Sequence, residues 1–327
     1  MRKMAAIIHR IVALGAALGA AFCCAVSAQT YPTKSITLVV PFSVGGSTDI
    51  ASRILAQELG TALGKTVVVE NRLGGGGVIG WGSVAKAQPD GYTLLTLELS
   101  YAIAAGLITN LPYDPKTAFA QIVTAVSMPH VQVVNPAVKA NTMQEFVALA
   151  KANPGKLNYG SGGSGTNTHL GSELLKSIAG IDMIHVPYKG AGAVLQDLMA
   201  GQVQALIASL PTVLPHVKSG KLRALMVTAD ERSSHLPDVP TAKEVGLPGM
   251  VMTFWVNFAA PAATPRPIIE QLNREVIAAL GQPATKKRLA DLGLDPVGST
   301  PAEATKLLEA EIQRWSAVIK AANIKAD

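Results

Sequence analysis

Two short loops carry residue types suited to holding an anion. Gly45-Gly46-Ser47-Thr48-Asp49 follows an apolar run that stops at Pro41, and Gly163-Ser164-Gly165-Thr166-Asn167 stands 118 residues further on. Each opens an amphipathic, helix-like pattern. A helix that starts after such a loop leaves its first N–H groups unpaired and points the positive end of its dipole at whatever lies ahead. A carboxylate or phosphate held there needs no Lys or Arg. Ser47 and Thr48 add hydroxyl donors, and either serves equally well as an ordinary N-cap. Capping alone does not require Gly45-Gly46, a pair that costs backbone entropy. Two such helix ends facing each other across a cleft would clamp a small anion. The flanks of the two loops do not match, so no internal repeat is implied.

Other chemistries find less support. Gly60–Thr66 imitates a phosphate-binding P-loop but is one residue short between its glycines and precedes a strand instead of following one; it reads as a helix end with Gly64 as cap. Gly75, Gly77 and Gly80 satisfy the dinucleotide spacing, and Glu98 lies where a ribose-binding acid would sit. Asn71 to Gly74 intervene between the strand and these glycines, so a loop with positive φ and close backbone approach is the plainer reading. No Ser is flanked by glycines two residues away on both sides, which removes the nucleophile elbow. His130, His169, His185, His216 and His235 show no metal-ligand pairing, so neither metal nor cofactor is expected. His169 lies just past the second loop, where it would face a ligand or pack as a structural histidine.

The elements that must position these loops alternate along the chain. Ile36–Pro41, Thr66–Glu70, Tyr92–Leu97, Gln121–Val126, Val131–Val134, Leu157–Tyr159 and Met183–Val186 read as extended. Ser47–Leu63, Val78–Ala87, Thr142–Ala152 and Thr166–Ala179 read as helical, and Val194–Met199, Val203–Ser209 and Leu222–Thr228 continue the alternation. The strands are apolar almost throughout, as when both faces are covered, so the class is α/β with mostly parallel sheets. Three helical stretches close the chain: Pro265–Leu280, Pro283–Leu292 and Thr300–Asn323. The last begins with Thr300 as N-cap, Pro301 at the first helical position and Glu303 at the third.

The 327 residues are 49% hydrophobic and 15% charged, enough for a large core in one or two domains. The first 28 residues read as a signal peptide. Arg2, Lys3 and Arg10 are its basic region, Ile11–Ala25 its apolar run and Val26-Ser27-Ala28 its cleavage site, leaving Gln29 first in a secreted mature chain. Both cysteines fall in that segment, so no disulfide is expected afterwards. Without its three basic residues the net charge drops from +6 to +3, and no basic block marks a nucleic-acid binder.

Several runs in order, over residues 31 to 326, resemble one family: VVPFSVGGSTDIASRIL, VVVENRLGGGGVIG, PDGYTLL, LPYDP, HVPYKGAGAVLQDLMAGQV and APAATPRPIIEQLN. The chain is similar to the substrate-binding receptors of tripartite tricarboxylate transporters, the Bug-type periplasmic receptors. The resemblance implies a two-lobed, type II Venus-flytrap receptor. The first lobe would hold residues 31–128 and 254–327, the second 129–253. It implies a small carboxylic acid as ligand and membrane transporter subunits, or a sensor protein, as partners, with the receptor itself a monomer that carries out no chemistry.

By position, Val44, Gly45, Gly46, Ser47, Thr48 and Asp49 become one carboxylate cradle, and Ser161, Gly162, Ser164, Thr166 and Asn167 the other. His169 follows the second loop, and Tyr188 and Trp255 would line the cleft or pack in the core. The chain departs from the family pattern twice. Glu98, Leu99, Ser100 and Tyr101 stand near the cleft where small residues are usual, and Ala208 and Ser209 replace an Asp-Asn pair. A buried Glu98 would repel a second carboxylate unless protonated or paired. It is therefore expected to meet an amino or hydroxyl group of the ligand, or to pair with a base such as Arg72. A secreted enzyme using the same cleft, or an anion-binding scaffold without transport, are the rival readings.

Overall fold

A computed structural model describes residues 31–321 and residue 324. The signal segment and its cleavage site lie outside the described residues. Ten strands are found among them: β1 (Ile36–Val40), β2 (Val67–Asn71), β3 (Thr93–Glu98), β4 (Phe119–Val134), β5 (Asn158–Ser161), β6 (Ile184–Pro187), β7 (Ala205–Ser209), β8 (Arg223–Val227), β9 (Thr253–Pro261) and β10 (Asp295–Pro296). The helices are α1 (Ser47–Leu63), α2 (Val78–Ala85), α3 (Leu99–Leu107), α4 (Met143–Ala152), α5 (Asn167–Ala179), α6 (Ala191–Met199), α7 (Leu210–Lys218), α8 (Arg266–Gly281), α9 (Pro283–Asp291) and α10 (Pro301–Ala321).

The strands pair around β4. On one side the order is β2-β1-β3-β9-β4, with β1 parallel to β2 and β3, and β9 antiparallel to β3 and β4. On the other side β4 pairs antiparallel with β7 and β8, while β5 runs parallel to β7 and β6. The 16-residue β4 joins the two sets. Phe119 to Pro129 pair with β9, and His130 to Val134 with β7. The sequence pattern suggests two extended segments here; the strand is in fact continuous, because Ser127 to Pro129 still pair with β9 despite their weaker apolar signal.

The parallel strands place the functional loops. β1, β3, β5 and β7 are each followed by a helix, α1, α3, α5 and α7 in turn, and no crossover separates strand from helix. Ligand sites of open α/β sheets lie at such carboxyl ends. The helix α7 has no counterpart in the sequence reading: Pro211 and Pro215 look like breakers, but Pro211 sits in the first turn, where a missing N–H costs no helix bond. Val194–Met199, left without a type by its pattern, is the core of helix α6.

Burial behind these strand ends holds the loops in place. Leu38, Val39 and Val40 of β1 are fully buried, as are Ala51 and Leu55 of α1 within a few per cent. Trp81 of α2 meets Tyr101 of α3 edge-on at 5.1 Å, and Tyr101 stacks on Tyr113 at 6.1 Å. The helix α10 packs on α3 and β4 through a stripe of Leu308, Ile312, Trp315 and Ile319. Its start is a capping box: the Glu303 amide donates to Thr300 Oγ1 at 3.2 Å, and the Thr300 amide donates to Glu303 Oε2 at 2.8 Å.

Gly80 lets α2 approach the end of β1. A Cβ there would lie 2.8 Å from the Arg72 carbonyl oxygen and 2.9 Å from Pro41 Cβ, neither of which can swing aside. Gly80→Ala is therefore expected to destabilise the protein by about 1–3 kcal/mol through overpacking, read as a lowered midpoint in urea unfolding.

Candidate functional site

Four helix N-termini converge on one buried cavity. Its walls include the cap residues Gly46 of α1, Glu98 of α3, Thr166 of α5 and Ser209 of α7. Ser47, Thr48, Asn167, Thr168 and Thr212 from the first turns line it too, closed off by Phe42, Ser43, Gly162, Gly190, Ala208 and Phe254. The cavity measures about 60 Å³, room for a few waters or a carboxylate group. No Lys or Arg lines it. A larger pocket of about 410 Å³ shares Phe42, Ser43, Gly162 and Gly190 with it and continues past Leu73, the glycines 74–77, Tyr188 and Lys189.

The two glycine loops are built differently. In the first, the amides of Ser47, Thr48 and Asp49 have no acceptor among the described residues, and Gly46 offers no side chain to cap them. They are the helix's unsatisfied donors, turned toward the cavity wall. The loop is anchored from behind by Asp49. Its Oδ2 accepts from the Gly45 amide at 3.0 Å and Arg53 Nε at 2.9 Å, and its Oδ1 from Asn71 Nδ2 at 2.9 Å. Asn71 Nδ2 also donates to the Phe42 carbonyl at 2.9 Å, tying the loop to the end of β2. Burial pulls the Asp49 pKa up, but the hydrogen bonds from Arg53, Asn71 and Gly45 outweigh it and hold the group below its ordinary value.

In the second loop most amides are already engaged. Gly162 donates to Thr168 Oγ1 at 2.8 Å, Gly163 to Ser161 Oγ at 3.1 Å, Gly165 to His169 Nδ1 at 3.1 Å, and Asn167 to Ser100 Oγ at 3.0 Å. This loop presents side chains instead of backbone. Asn167 is its hub, donating from Nδ2 to Glu98 Oε2 and Ser100 Oγ, each at 3.0 Å, and meeting His130 Nε2 through Oδ1 at 2.9 Å.

Direct contacts join the loops across the cleft. Ser47 Oγ lies 2.6 Å from Ser209 Oγ and 2.8 Å from Thr212 Oγ1, and those two are 3.1 Å apart. A Cβ on Gly190 would strike Ser43 Oγ, and one on Gly76 would come within 3.1 Å of the Ser164 carbonyl. The cleft is closed.

Of the residues singled out from the sequence, Gly46, Ser47, Thr48, Glu98, Gly162, Thr166, Asn167 and Ser209 line the cavity. Others stand behind it. Val44 is 68% exposed. Gly45 spends its amide on Asp49, which faces its anchors. Ser100 and Ser161 position the second loop. His169 stacks on His185 at 4.1 Å. Ser164 meets the rim opposite Gly76. Tyr188 lines the outer pocket and donates to Asp197 Oδ2 at 2.7 Å. Two expectations are corrected. Tyr101 is packed among Trp81, Tyr113 and Phe119 and donates to the Pro115 carbonyl, because an aromatic ring at this point of α3 finds its partners in the core. Arg72 does not reach Glu98: its Nε and Nη2 hold Glu70 at 2.8 and 2.9 Å. Trp255 is buried on β9, opposite Ser127 of β4, and lines neither pocket.

Sequence reading missed Phe42, Ser43, Thr168, Gly190, Thr212 and Phe254 as lining residues and His130 as a neighbour. Ser209-Leu-Pro-Thr212 carries a readable signal, a cap residue with Pro in the first turn. Nothing local marks His130 or Phe254.

Paired sets of α/β elements, joined by the strand β4 that runs through both and closing helix ends over a cavity, define a two-lobed periplasmic binding protein. The chain belongs to the tripartite tricarboxylate transporter receptor family, whose profile matches residues 51–324. Protein BugT of Bordetella pertussis is 40% identical over 302 residues, 92% of this chain and 93% of its own. Among solved structures, periplasmic binding protein BugD is 32% identical with a TM-score of 0.87, covering 91% of this chain and all of its own. MatC of Rhodopseudomonas palustris with bound malate is 34% identical with a TM-score of 0.85, over 88% of this chain and 100% of its own. Rpa4515 of R. palustris with adipate is 35% identical with a TM-score of 0.87, over 90% and 99%. Among the described residues no helix is long and apolar enough to cross a membrane.

Asp49 links this site to pH. With its folded pKa below its unfolded value of about 3.8, its contribution is present above that pH and lost as pH falls through the folded value. Asp49→Asn is expected to cost about 1–3 kcal/mol at neutral pH, from hydrogen bonds to a charged group, and to flatten the acid limb of a stability-versus-pH curve.

Proposed function

We propose that this protein is a periplasmic receptor that closes over a small carboxylic acid and delivers it to a tripartite tricarboxylate-type transporter. The observation that carries the reading is the row of unpaired amides at Ser47, Thr48 and Asp49, set against a cavity with no Lys or Arg. Such a wall holds an anion by helix-terminus donors and hydroxyls alone. The inner cavity takes one carboxylate group, and the adjoining pocket takes the rest of the molecule. The malate and adipate seen with similar receptors make four- to six-carbon diacids the first candidates. The ligand leaves unchanged, and the receptor acts as a monomer.

The lobes would be residues 31–128 with 254–327, and residues 129–253. They pivot where β4 passes from β9 to β7 at Pro129–His130, and where the chain returns at Met252–Thr253. Thr228 braces both crossings: its amide donates to the His130 carbonyl at 2.9 Å and its Oγ1 to the Met252 carbonyl at 2.6 Å. The ligand drives closure only if it binds the closed form better.

A thermal-shift screen of the mature chain against mono-, di- and tricarboxylates tests this. A ligand at a hundredfold excess over its Kd should stabilise by about 2.7 kcal/mol. Gly46 has an extended φ of −75° that any residue adopts. Gly46→Val should fold yet lose the shift, because it fills the wall where the acid docks. A panel in which no acid raises the midpoint would remove the receptor reading.

A further inference from the structure

Glu98 is the one ionisable side chain among the residues lining the inner cavity. It is 1% exposed. Its Oε2 is fully used, accepting from the Ser100 amide at 2.8 Å and Asn167 Nδ2 at 3.0 Å. Its Oε1 is buried and has no partner among the described residues. A bare carboxylate oxygen buried in this wall is costly, and an acid hydroxyl at the same place is a donor awaiting an acceptor.

Among the described residues that line the inner cavity there is no Lys or Arg; Lys189 lines the adjoining pocket. On β9 Val256 stands opposite Glu98. The neighbours on α3 and α5 are Ser100 and Asn167, and Ser47, Thr48, Ser209 and Thr212 of α1 and α7 share the cavity. Arg72 is held by Glu70, and Arg53 by Asp49, which also faces Asn71 and Gly45. His169 of α5 accepts from Gly165. The nearest titratable base is His130 of β4, one hydrogen bond further on. Asn167 donates to Glu98 through Nδ2, so its Oδ1 accepts and His130 carries the proton on Nε2. Burial lowers the His130 pKa to about 4, so the ring brings no charge at neutral pH. Burial likewise raises Glu98 to about 7, against the pull of its hydrogen bonds from Ser100 and Asn167.

We propose that Glu98 recognises the ligand as a neutral carboxylic acid, donating a proton from Oε1 to an oxygen of the bound acid, so that capture takes up one proton from solvent. This rests on the receptor reading above. In the open cleft Glu98 is hydrated and ionised at neutral pH. On closure over an anion its carboxylate accepts a proton from water or buffer, no other bond changes, and the proton returns on release. An ionised Glu98 would instead repel the ligand's carboxylate at close range. The residue thereby selects acids with an oxygen acceptor at this point and couples their release to rising pH.

The sign of the pH effect follows. Glu98 has a higher pKa in the bound form than in the free, so affinity is full below the free value and falls as pH rises toward the bound value. Malate, succinate and adipate are first screened by thermal shift, and the tightest is titrated calorimetrically at about pH 7.2 and 8.2 in phosphate and in Tris, where the acids are almost wholly ionised and both buffers hold. The wild type is expected to take up part of a proton on binding and to bind more weakly at the higher pH, by at most about tenfold per pH unit. Glu98→Gln keeps an acceptor for Ser100 and Asn167 and puts an N–H at the open position, so it should bind at both pH values with no proton uptake.

Binding that is independent of pH and of buffer in the wild type overturns the role while leaving the receptor intact. Loss of binding in a folded Glu98→Gln at both pH values overturns it too, since that marks an ionised acceptor. Should the variant not fold, the wild-type proton count decides alone. If no acid binds the wild type, the receptor reading and this role fall together.

Discussion

A helix cannot satisfy its own first amides, and this site is assembled from that deficit. Each of the strands β1, β3, β5 and β7 is followed by a helix, directly for β3 and β7 and after a short loop for β1 and β5, so the carboxyl ends of both strand sets bring helix N-termini to one small volume. The surplus of donors is treated differently at each corner. Glu98 and Ser100 absorb it at α3 and α5, while α1 leaves its amides open. On the reading proposed above, an anion satisfies what remains, and with no Lys or Arg among the described lining residues its recognition is directional instead of merely charged.

Open donors are useful only if the backbone that carries them does not move. Asp49 is central to that rigidity. One carboxylate gathers the Gly45 amide, Arg53 and Asn71, and Asn71 reaches the carbonyl of Phe42, so the loop is clamped at both ends by charged and amide hydrogen bonds. Behind it, Gly80 admits α2 against Pro41, and the cluster of Trp81, Tyr101, Tyr113 and Phe119 fills the space beneath α3. Tyr101 thus serves the site from a distance, by fixing the helix whose cap is Glu98.

The same logic leaves Glu98 with a buried carboxyl oxygen that nothing among the described residues satisfies. A buried acid with one oxygen unmatched is a stability cost that a purely structural position would shed by substitution to an apolar residue. Local rules are broken most often where a site needs the broken group. The closed cleft spreads the strain over hydroxyls that can rotate, Ser47, Ser209 and Thr212, whose mutual contacts are replaceable by a ligand's oxygens one for one.

The alternation of apolar runs with amphipathic stretches is local, and from it the α/β class and most helices were legible, including Ser47–Leu63 to the residue and the capping box at Thr300. The first loop's role as a helix N-terminus was equally legible, since glycines and small hydroxyl residues after an apolar run have few other uses. Three things were decided only by the fold. Which amides stay open depends on partners distant in sequence: Ser100 closes that of Asn167 from 67 positions away. The fate of Tyr101, Trp255 and Arg72 turned on which side of an element faced the cavity, which a pattern of buried residues on both faces cannot tell. The pairing of Glu98 with Asn167, and of Ser47 with Ser209 and Thr212, exists only because β4 carries the chain from one strand set to the other and brings the carboxyl ends of both to the same point.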